Sequence, residues 1–210
     1  MLYSLMRKRK TRDPCQICFM HMERCICAFI PKLQLKTRLC LVIHHRELKR
    51  TTNTGRLAIH ALANSQMIIR GQDRTRLNLT SILSPEYETY VLQPSEAALD
   101  IEDLKPTKPV QLIVSDGNWR QASKLHGRHP EIAHLPRVRI SQKNLSMHHL
   151  RKEHFGEGFS TLEAIAITMG FLEGESVKES LLRLYQAKLH ATVLGRGMAE
   201  RHNEMCGTNA

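Results

Sequence analysis

The chain has 210 residues, a hydrophobic content of 41% and a formal net charge of +11. This length suits one α/β domain with a small appendage, and no apolar run approaches the roughly 18 residues that a membrane span requires. The N-terminal charges are not followed by a long apolar segment, so the sequence predicts no secretory signal and a cytoplasmic location. Residues 1–50 carry 12 Lys and Arg against 3 Asp and Glu, which indicates a module that meets phosphate groups.

Residues 1–12 are the most basic segment and are predicted to form a flexible arm. The candidate RNA contacts in this arm are Arg7, Lys8, Arg9, Lys10 and Arg12. A run of one charge sign often marks an interaction tail, although a solvated tail that aids solubility has the same composition. Arg46 and Arg56 are further candidates for phosphate contacts, which orient a nucleic acid without specifying its sequence.

Residues 13–30 hold a C-x-x-C pair followed by a C-x-C pair. The four cysteines are Cys15, Cys18, Cys25 and Cys27. Zinc favours tetrahedral thiolate sites, and a C-x-x-C turn brings two sulfurs to one ion. A disulfide framework is disfavoured in the cytosol; redox chemistry and uncoordinated thiols are the other interpretations. His21 could replace one sulfur or lie exposed in a loop. The spacing favours a structural zinc knuckle.

The next segments, residues 31–195, alternate between strand and helix patterns. Apolar runs predict five strands, which are Thr37–His44, Met67–Arg70, Thr89–Leu92, Val110–Ser115 and Arg137–Ile140. Helical spacing predicts helices over Asn53–Ser65 and Asn118–His126, and Gln93–Pro109 is predicted to be a loop with a helical turn. This alternation predicts a mostly parallel sheet with helices on both faces. The absence of G-x-G-x-x-G and P-loop motifs argues against a dinucleotide or NTPase site of the usual kinds.

The segment Val110–Ala122 places polar residues at the carboxyl end of a predicted buried strand. Ser115, Asp116 and Gly117 end the apolar run, and Trp119 is the only tryptophan of the chain. Open α/β sheets bind ligands at the carboxyl ends of their strands, so this segment is a predicted edge of an active site. The alternatives are that Asp116 caps the following helix and that Trp119 belongs to the core.

Two capping boxes predict the starts of two late helices, at Ser160–Glu163 and Ser176–Glu179. The first box follows Gly156-Glu157-Gly158, and glycines before a helix allow backbone amides to approach a negatively charged ligand. This segment is a second predicted wall of the pocket, although a capped loop explains the same residues. The polar residues 196–210 are predicted to be a tail.

Five segments occur in an order typical of one family. They are Cys15–Cys27, His44–Glu47 with Asn53–Ala58, Gln93–Ala97, Asp116–Trp119 and Ser160–Ala166. In this order they resemble the DTW-domain family, the tRNA-uridine aminocarboxypropyltransferases. The resemblance implies transfer of the 3-amino-3-carboxypropyl group of S-adenosylmethionine to N3 of a tRNA uridine, giving acp3U and methylthioadenosine. It also implies a SPOUT-like α/β fold with a C-terminal knotted cofactor pocket, a rare exception to unknotted topology. SPOUT relatives often dimerise, and both monomer and dimer stay open.

The resemblance also implies which residues form the active site. The implied catalytic residues are Asp116, Asn118 and Trp119, and Asn118 stands where the family signature has threonine. Asp116 is the candidate general base for the uridine N3 proton, or it attracts the sulfonium or amino group. Trp119 would stack on adenine or on the flipped uracil. The candidate S-adenosylmethionine contacts are Ser115, Asp116, Gly117, Trp119, Gly158, Ser160, Thr161 and Glu163. The alternative functions are a SPOUT-type RNA methyltransferase and a non-catalytic zinc-containing RNA-binding protein.

Overall fold

A six-stranded parallel sheet forms the centre of the fold. The computed structural model describes residues 14–72, 77–117, 125–142 and 158–195. The strands are β1 (Arg38–His44), β2 (Ser65–Arg70), β3 (Glu88–Leu92), β4 (Leu99–Asp100), β5 (Val110–Asp116) and β6 (Arg137–Arg139). Their order is β2-β1-β5-β3-β6-β4, and all the pairings between these strands are parallel. The predicted α/β class and parallel sheet are confirmed.

Helices cover both faces of this sheet. They are α1 (Gly55–Ala61), α2 (Leu125–Arg128), α3 (Pro130–Ala133), α4 (Thr161–Glu173) and α5 (Glu175–Gly195). Side chains alternate between the two faces along a strand. Leu41 and Leu112 therefore join one core with residues of α1, α4 and α5, while Val42 and Ile113 join a second core with Ile132 of α3.

The strand order reverses between β1 and β5, which are neighbours in the sheet. The connection from β1 to β2 runs through α1 on one face, and the connection from β5 to β6 passes α3 on the other face. Connections that leave adjacent strands toward opposite faces open a crevice outside their carboxyl ends, where such sheets bind ligands. The carboxyl ends of β1 and β5 are His44 and Asp116.

The two late helices form a closely packed pair. The capping box predicted at Ser160 is present: the Glu163 N–H donates to Ser160 Oγ, and the Ser160 N–H donates to the Glu163 carboxylate. The box predicted at Ser176 is wrong, because α5 already begins at Glu175. Gly174, with φ of +108°, ends α4 and turns the chain directly into α5. Gly174 alone separates the two helices, so the position before α5 is occupied by this glycine and not by Ser176.

The cysteine-rich segment packs on α5. It contains two short 3-10 helices, Met22–Arg24 and Cys27–Phe29, and its buried residues share the core of the α1, α4 and α5 face. The structure thus joins this segment to the sheet domain through one continuous apolar core.

None of the helices in the described ranges combines the length and the hydrophobicity that a membrane-spanning helix needs.

Several predicted boundaries shift. Helix α1 is shorter than the predicted Asn53–Ser65, since β2 begins at Ser65. The predicted loop Gln93–Pro109 contains the two-residue strand β4 and a 3-10 turn at Ile101–Asp103. Of the predicted helix Asn118–His126, residues 118–124 lie outside the described residues. The same holds for the arm (residues 1–12) and the tail (residues 196–210).

Candidate functional site

Asp116 lies at the centre of the crevice and joins three elements. Its side chain is on the α1 and α4 face of β5, and the residue is 5% exposed. One carboxylate oxygen accepts a hydrogen bond from Asn53 Nδ2 at 2.6 Å. The other oxygen accepts from Thr161 Oγ1 at 2.8 Å. A carboxylate in this position is of the type that accepts a proton or attracts a cation.

The residues before α1 hold this carboxylate from one side. Asn53 is itself oriented by the Arg56 N–H, which donates to Asn53 Oδ1 at 3.2 Å. Thr54 Oγ1 accepts from the Leu162 N–H at 3.2 Å and so connects the start of α1 to the start of α4. Gly55 lies directly against Asp116, because a Cβ at this position would be 2.6 Å from Asp116 Oδ2. Only glycine allows this approach.

The start of α4, the predicted second wall, lies against Asp116 from the other side. Ser160 and Glu163 satisfy each other's backbone N–H groups. Their side chains are therefore committed to capping the helix, while the Thr161 hydroxyl contacts Asp116. Among the four predicted residues of this wall, the structure thus brings Thr161 into contact with Asp116, and it uses Ser160 and Glu163 for the helix start. Gly158 precedes this turn.

Buried polar atoms without partners mark the same edge of the sheet. Among the residues that the structure describes, Ser115 Oγ, Ser95 Oγ and His45 Nδ1 are buried and make no hydrogen bond. Ser115 is the last but one residue of β5, while Ser95 and His45 come after the ends of β3 and β1, and these three strands are neighbours in the sheet. Ser115 alternates with Asp116 along β5 and points to the opposite face. Buried polar atoms are nearly always hydrogen-bonded. Buried atoms without a protein partner at the carboxyl ends of the strands are therefore suited to form hydrogen bonds with a polar ligand.

Several predicted site residues lie outside the described residues. These are Asn118, Trp119, Arg7, Lys8, Arg9, Lys10 and Arg12. Gly117 is described and partly buried beside Asp116. Arg46 is exposed after β1. Arg56 is half-buried: its guanidinium stacks on the Phe19 ring at 4.0 Å and donates to the Leu48 carbonyl at 3.0 Å. RNA contact by these arginines and lysines stays a prediction.

The four cysteines come together, as their spacing predicts. Their sulfurs all lie within 4.8 Å of one another. Cys15 Sγ is 3.5 Å from Cys27 Sγ, and Cys18 Sγ is 3.8 Å from Cys25 Sγ. Zinc–sulfur bonds of about 2.3 Å in a tetrahedron place the sulfurs about 3.8 Å apart, so the cluster has the dimensions of such a site. His21 stays out of it, since its Nδ1 accepts from the Glu23 N–H.

The surroundings of the thiols differ from one cysteine to the next. Burial disfavours the thiolate of Cys15, but the backbone N–H groups of Cys18 and Ile17, with the Cys27 and Cys25 side chains, lower its pKa to about 6. Burial raises the pKa of Cys18 and of Cys27. The Cys15 thiolate is thus favoured at neutral pH, while Cys18 and Cys27 become thiolates more readily with a bound cation.

The residues that hold Asp116 were not among the predicted site residues. Asn53, Thr54 and Gly55 were placed in the predicted helix, although an Asn-Thr-Gly run directly before a helical pattern is a loop signal. Lys188 in α5 was not predicted either, and its ammonium is fully buried beside the cysteine cluster. A single lysine on a helix carries no local signal of this placement.

Comparison with known proteins identifies the family. A DTW domain matches residues 12–192. Two proteins named tRNA-uridine aminocarboxypropyltransferase 2, from Macaca fascicularis and Mus musculus, are each 26% identical, over 85% and 84% of this chain. The chain spans 63% and 62% of those proteins. A solved structure of the SAM-dependent rRNA:acp-transferase Tsr3 from Vulcanisaeta distributa is 16% identical, with a TM-score of 0.47, and the match covers 82% of this chain and 90% of that one. This chain belongs to the DTW domain family.

Proposed function

We propose that this protein transfers the 3-amino-3-carboxypropyl group of S-adenosylmethionine to N3 of a tRNA uridine. The observation that most supports this proposal is the buried Asp116 carboxylate, which lies where the strand order reverses and accepts hydrogen bonds from Asn53 and Thr161. The family membership and the names of the relatives support the same chemistry. The proposed SPOUT-type knot at the C-terminal side of the pocket belongs to this hypothesis.

The proposed reaction is a displacement at the methylene carbon beside the sulfonium. The uridine N3–carbon bond forms, the carbon–sulfur bond breaks, and its electron pair stays on sulfur in methylthioadenosine. The sulfonium is already a good leaving group, so the protein's main task is to align the reactants. Asp116 is suited to take up the N3 proton or to attract the sulfonium and amino group, since both need a negative charge in the crevice.

The uridine must reach this crevice unpaired. N3 lies on the Watson–Crick edge, so the target base has to be splayed from its neighbours, as bases in tRNA loops can be. In the proposal, Trp119 stacks on the uracil or on adenine, and Asn118 takes the place of the family threonine beside it. The basic arm, together with Arg46 and Arg56, supplies candidate phosphate contacts.

We further propose that Cys15, Cys18, Cys25 and Cys27 hold a structural zinc ion. The sulfur separations support tetrahedral coordination. Thiolate sites of this kind with four protein ligands are closed to substrate and stabilise the fold. The ion would therefore fasten residues 13–30 and take no part in the transfer.

Nucleoside mass spectrometry tests the proposed transfer. Purified protein, unmodified tRNA and S-adenosylmethionine are expected to yield acp3U together with methylthioadenosine. Formation of a methylated nucleoside with S-adenosylhomocysteine would instead identify the protein as an RNA methyltransferase. If no tRNA is modified while RNA still binds, the protein is a binding module and the proposal is wrong.

Elemental analysis tests the metal site. Fully reduced, folded protein is expected to contain about one zinc per chain, as the single four-sulfur cluster of the described residues implies. A Cys18→Ser variant should lose most of the metal, whereas Cys40→Ser should keep it, because Cys40 lies in β1 outside the cluster. A reduced wild-type protein without metal would contradict the proposal.

A further inference from the structure

Lys188 is a buried cation that its protein contacts do not neutralise. Its side chain is 0% exposed. The ammonium donates to the Cys18 carbonyl oxygen at 2.9 Å and to Met20 Sδ at 3.1 Å. Both acceptors are uncharged, and no carboxylate of the described residues forms an ion pair with this lysine. Burying an ammonium is costly unless a negative charge compensates it.

A second cation lies on the same cluster. Arg56, the first-turn residue of α1, places its guanidinium over Phe19, which follows Cys18 in the chain. Its acceptor is the uncharged Leu48 carbonyl. Burial lowers the pKa of both Arg56 and Lys188, and a negative charge at Cys18 would raise both. The positive charge of Arg56 also lowers the pKa of Lys188, which indicates that the two cations lie near each other. We refer to Lys188 and Arg56 as the cation pair.

The charge of the cation pair favours some charge states of the four cysteines over others. Four thiols or two disulfides are neutral and would leave the charges of buried Lys188 and half-buried Arg56 uncompensated. A single thiolate among the four cysteines would compensate only one of them. A divalent ion bound by four thiolates carries a net charge of −2, which equals the charge of the cation pair in magnitude. The metal-bound thiolate cluster is thus the one state among these whose charge matches both cations.

We infer that Lys188 and Arg56 are positioning residues for a metal tetrathiolate, and that they stabilise a soft divalent ion at the four cysteines by charge compensation. This inference rests on the proposed metal site and adds two residues to it, from α5 and α1. Residues outside the coordination sphere commonly change metal affinity by about 10–100-fold when they are replaced. The Arg56 N–H also orients Asn53, the partner of Asp116, so the same residue connects the cluster with the crevice.

Zinc release from the full-length protein tests the inference. The wild type and the variants Lys188→Met, Arg56→Met and Arg56→Lys are loaded with zinc, and its transfer to a chromophoric chelator is followed. The two methionine variants are expected to release zinc about tenfold faster or more, whereas Arg56→Lys, which keeps the charge, should stay near the wild type. The matched control is Arg183→Met, which removes an exposed charge from the same helix α5.

The possible outcomes distinguish a failure of this inference from a failure of the proposed metal site. If the wild type holds zinc and Lys188→Met releases it at the rate of Arg183→Met, the cation pair has no such role while the metal site stands. If reduced wild type holds no zinc, the metal site fails first. Circular dichroism shows whether Lys188→Met folds. If it does not fold, the zinc release rates of Arg56→Met and Arg56→Lys are compared instead. Equal rates for these two variants would overturn the proposed role of charge.

Discussion

Replacing Asp116 by asparagine is expected to lower turnover by about 100-fold or more while the protein stays folded. An amide keeps the size of the carboxylate, and its oxygen can still accept from Asn53 Nδ2. Its NH₂ can donate to Thr161 Oγ1, since a hydroxyl also accepts. The variant therefore removes the negative charge with little change in packing, and general-base catalysis typically contributes about 10²–10⁴-fold. Turnover is measured as acp3U formed per enzyme, and tRNA affinity should be largely unchanged.

Two further variants distinguish a chemical role of Asp116 from a purely structural one. Thr161→Val removes one hydrogen bond to the carboxylate but keeps its charge, so we expect a loss of about 1 kcal/mol in the free energy of unfolding and most of the turnover retained. Asp116→Ala should destabilise more, because it leaves two buried donors unsatisfied. Wild-type turnover in Asp116→Asn would show that the carboxylate serves the fold alone.

Replacing Gly55 by alanine is expected to impair both stability and activity. The new Cβ would lie 2.6 Å from Asp116 Oδ2, 3.0 Å from Asp116 Cγ and 3.1 Å from Thr161 Cγ2. These atoms belong to short, buried side chains that are hydrogen-bonded to each other, so the overlap must displace the carboxylate or the start of α1. Overpacking of this kind costs about 1–3 kcal/mol. Denaturant unfolding measures the stability, and acp3U formation measures the activity.

Gly127→Ala is the matched control for this substitution. Gly127 lies in α2, is exposed, and a Cβ there would meet no atom within 4 Å. In an exposed helix, alanine is favoured over glycine by up to about 1 kcal/mol, so stability should be equal or higher. If Gly55→Ala behaves like Gly127→Ala in both assays, the proposed contact between α1 and Asp116 is wrong.

The strands and the first late helix were predictable because their signals are local. Apolar runs of strand length mark β1 and β5, and the capping box at Ser160 marks the start of α4 within four residues. The predicted start of α5 at Ser176 failed for a physical reason: Gly174 adopts a left-handed conformation and lets α5 begin at Glu175. A capping-box pattern does not say whether a preceding glycine has already started the helix.

The candidate site was predictable in part. Asp116 and the Ser160–Glu163 segment were recognised because strand ends and helix starts are recurrent ligand sites. The residues that bind Asp116 were not, since Asn53 is 63 residues away in the chain and Thr161 is 45 residues away. Which polar residues meet across such distances depends on strand order, and strand order has no local signal.

The class of fold, the grouping of the four cysteines and the strand end that carries Asp116 are predictable from the amino-acid sequence, because each depends on residues that are neighbours in the chain. The surroundings of these features depend on the tertiary structure. The order β2-β1-β5-β3-β6-β4 places Asn53, Gly55 and Thr161 around Asp116. The packing of α5 on the cysteines buries Lys188, 170 residues from Cys18, at hydrogen-bonding distance from its carbonyl. These contacts arise when distant elements bury a common apolar core, so they follow from the fold as a whole.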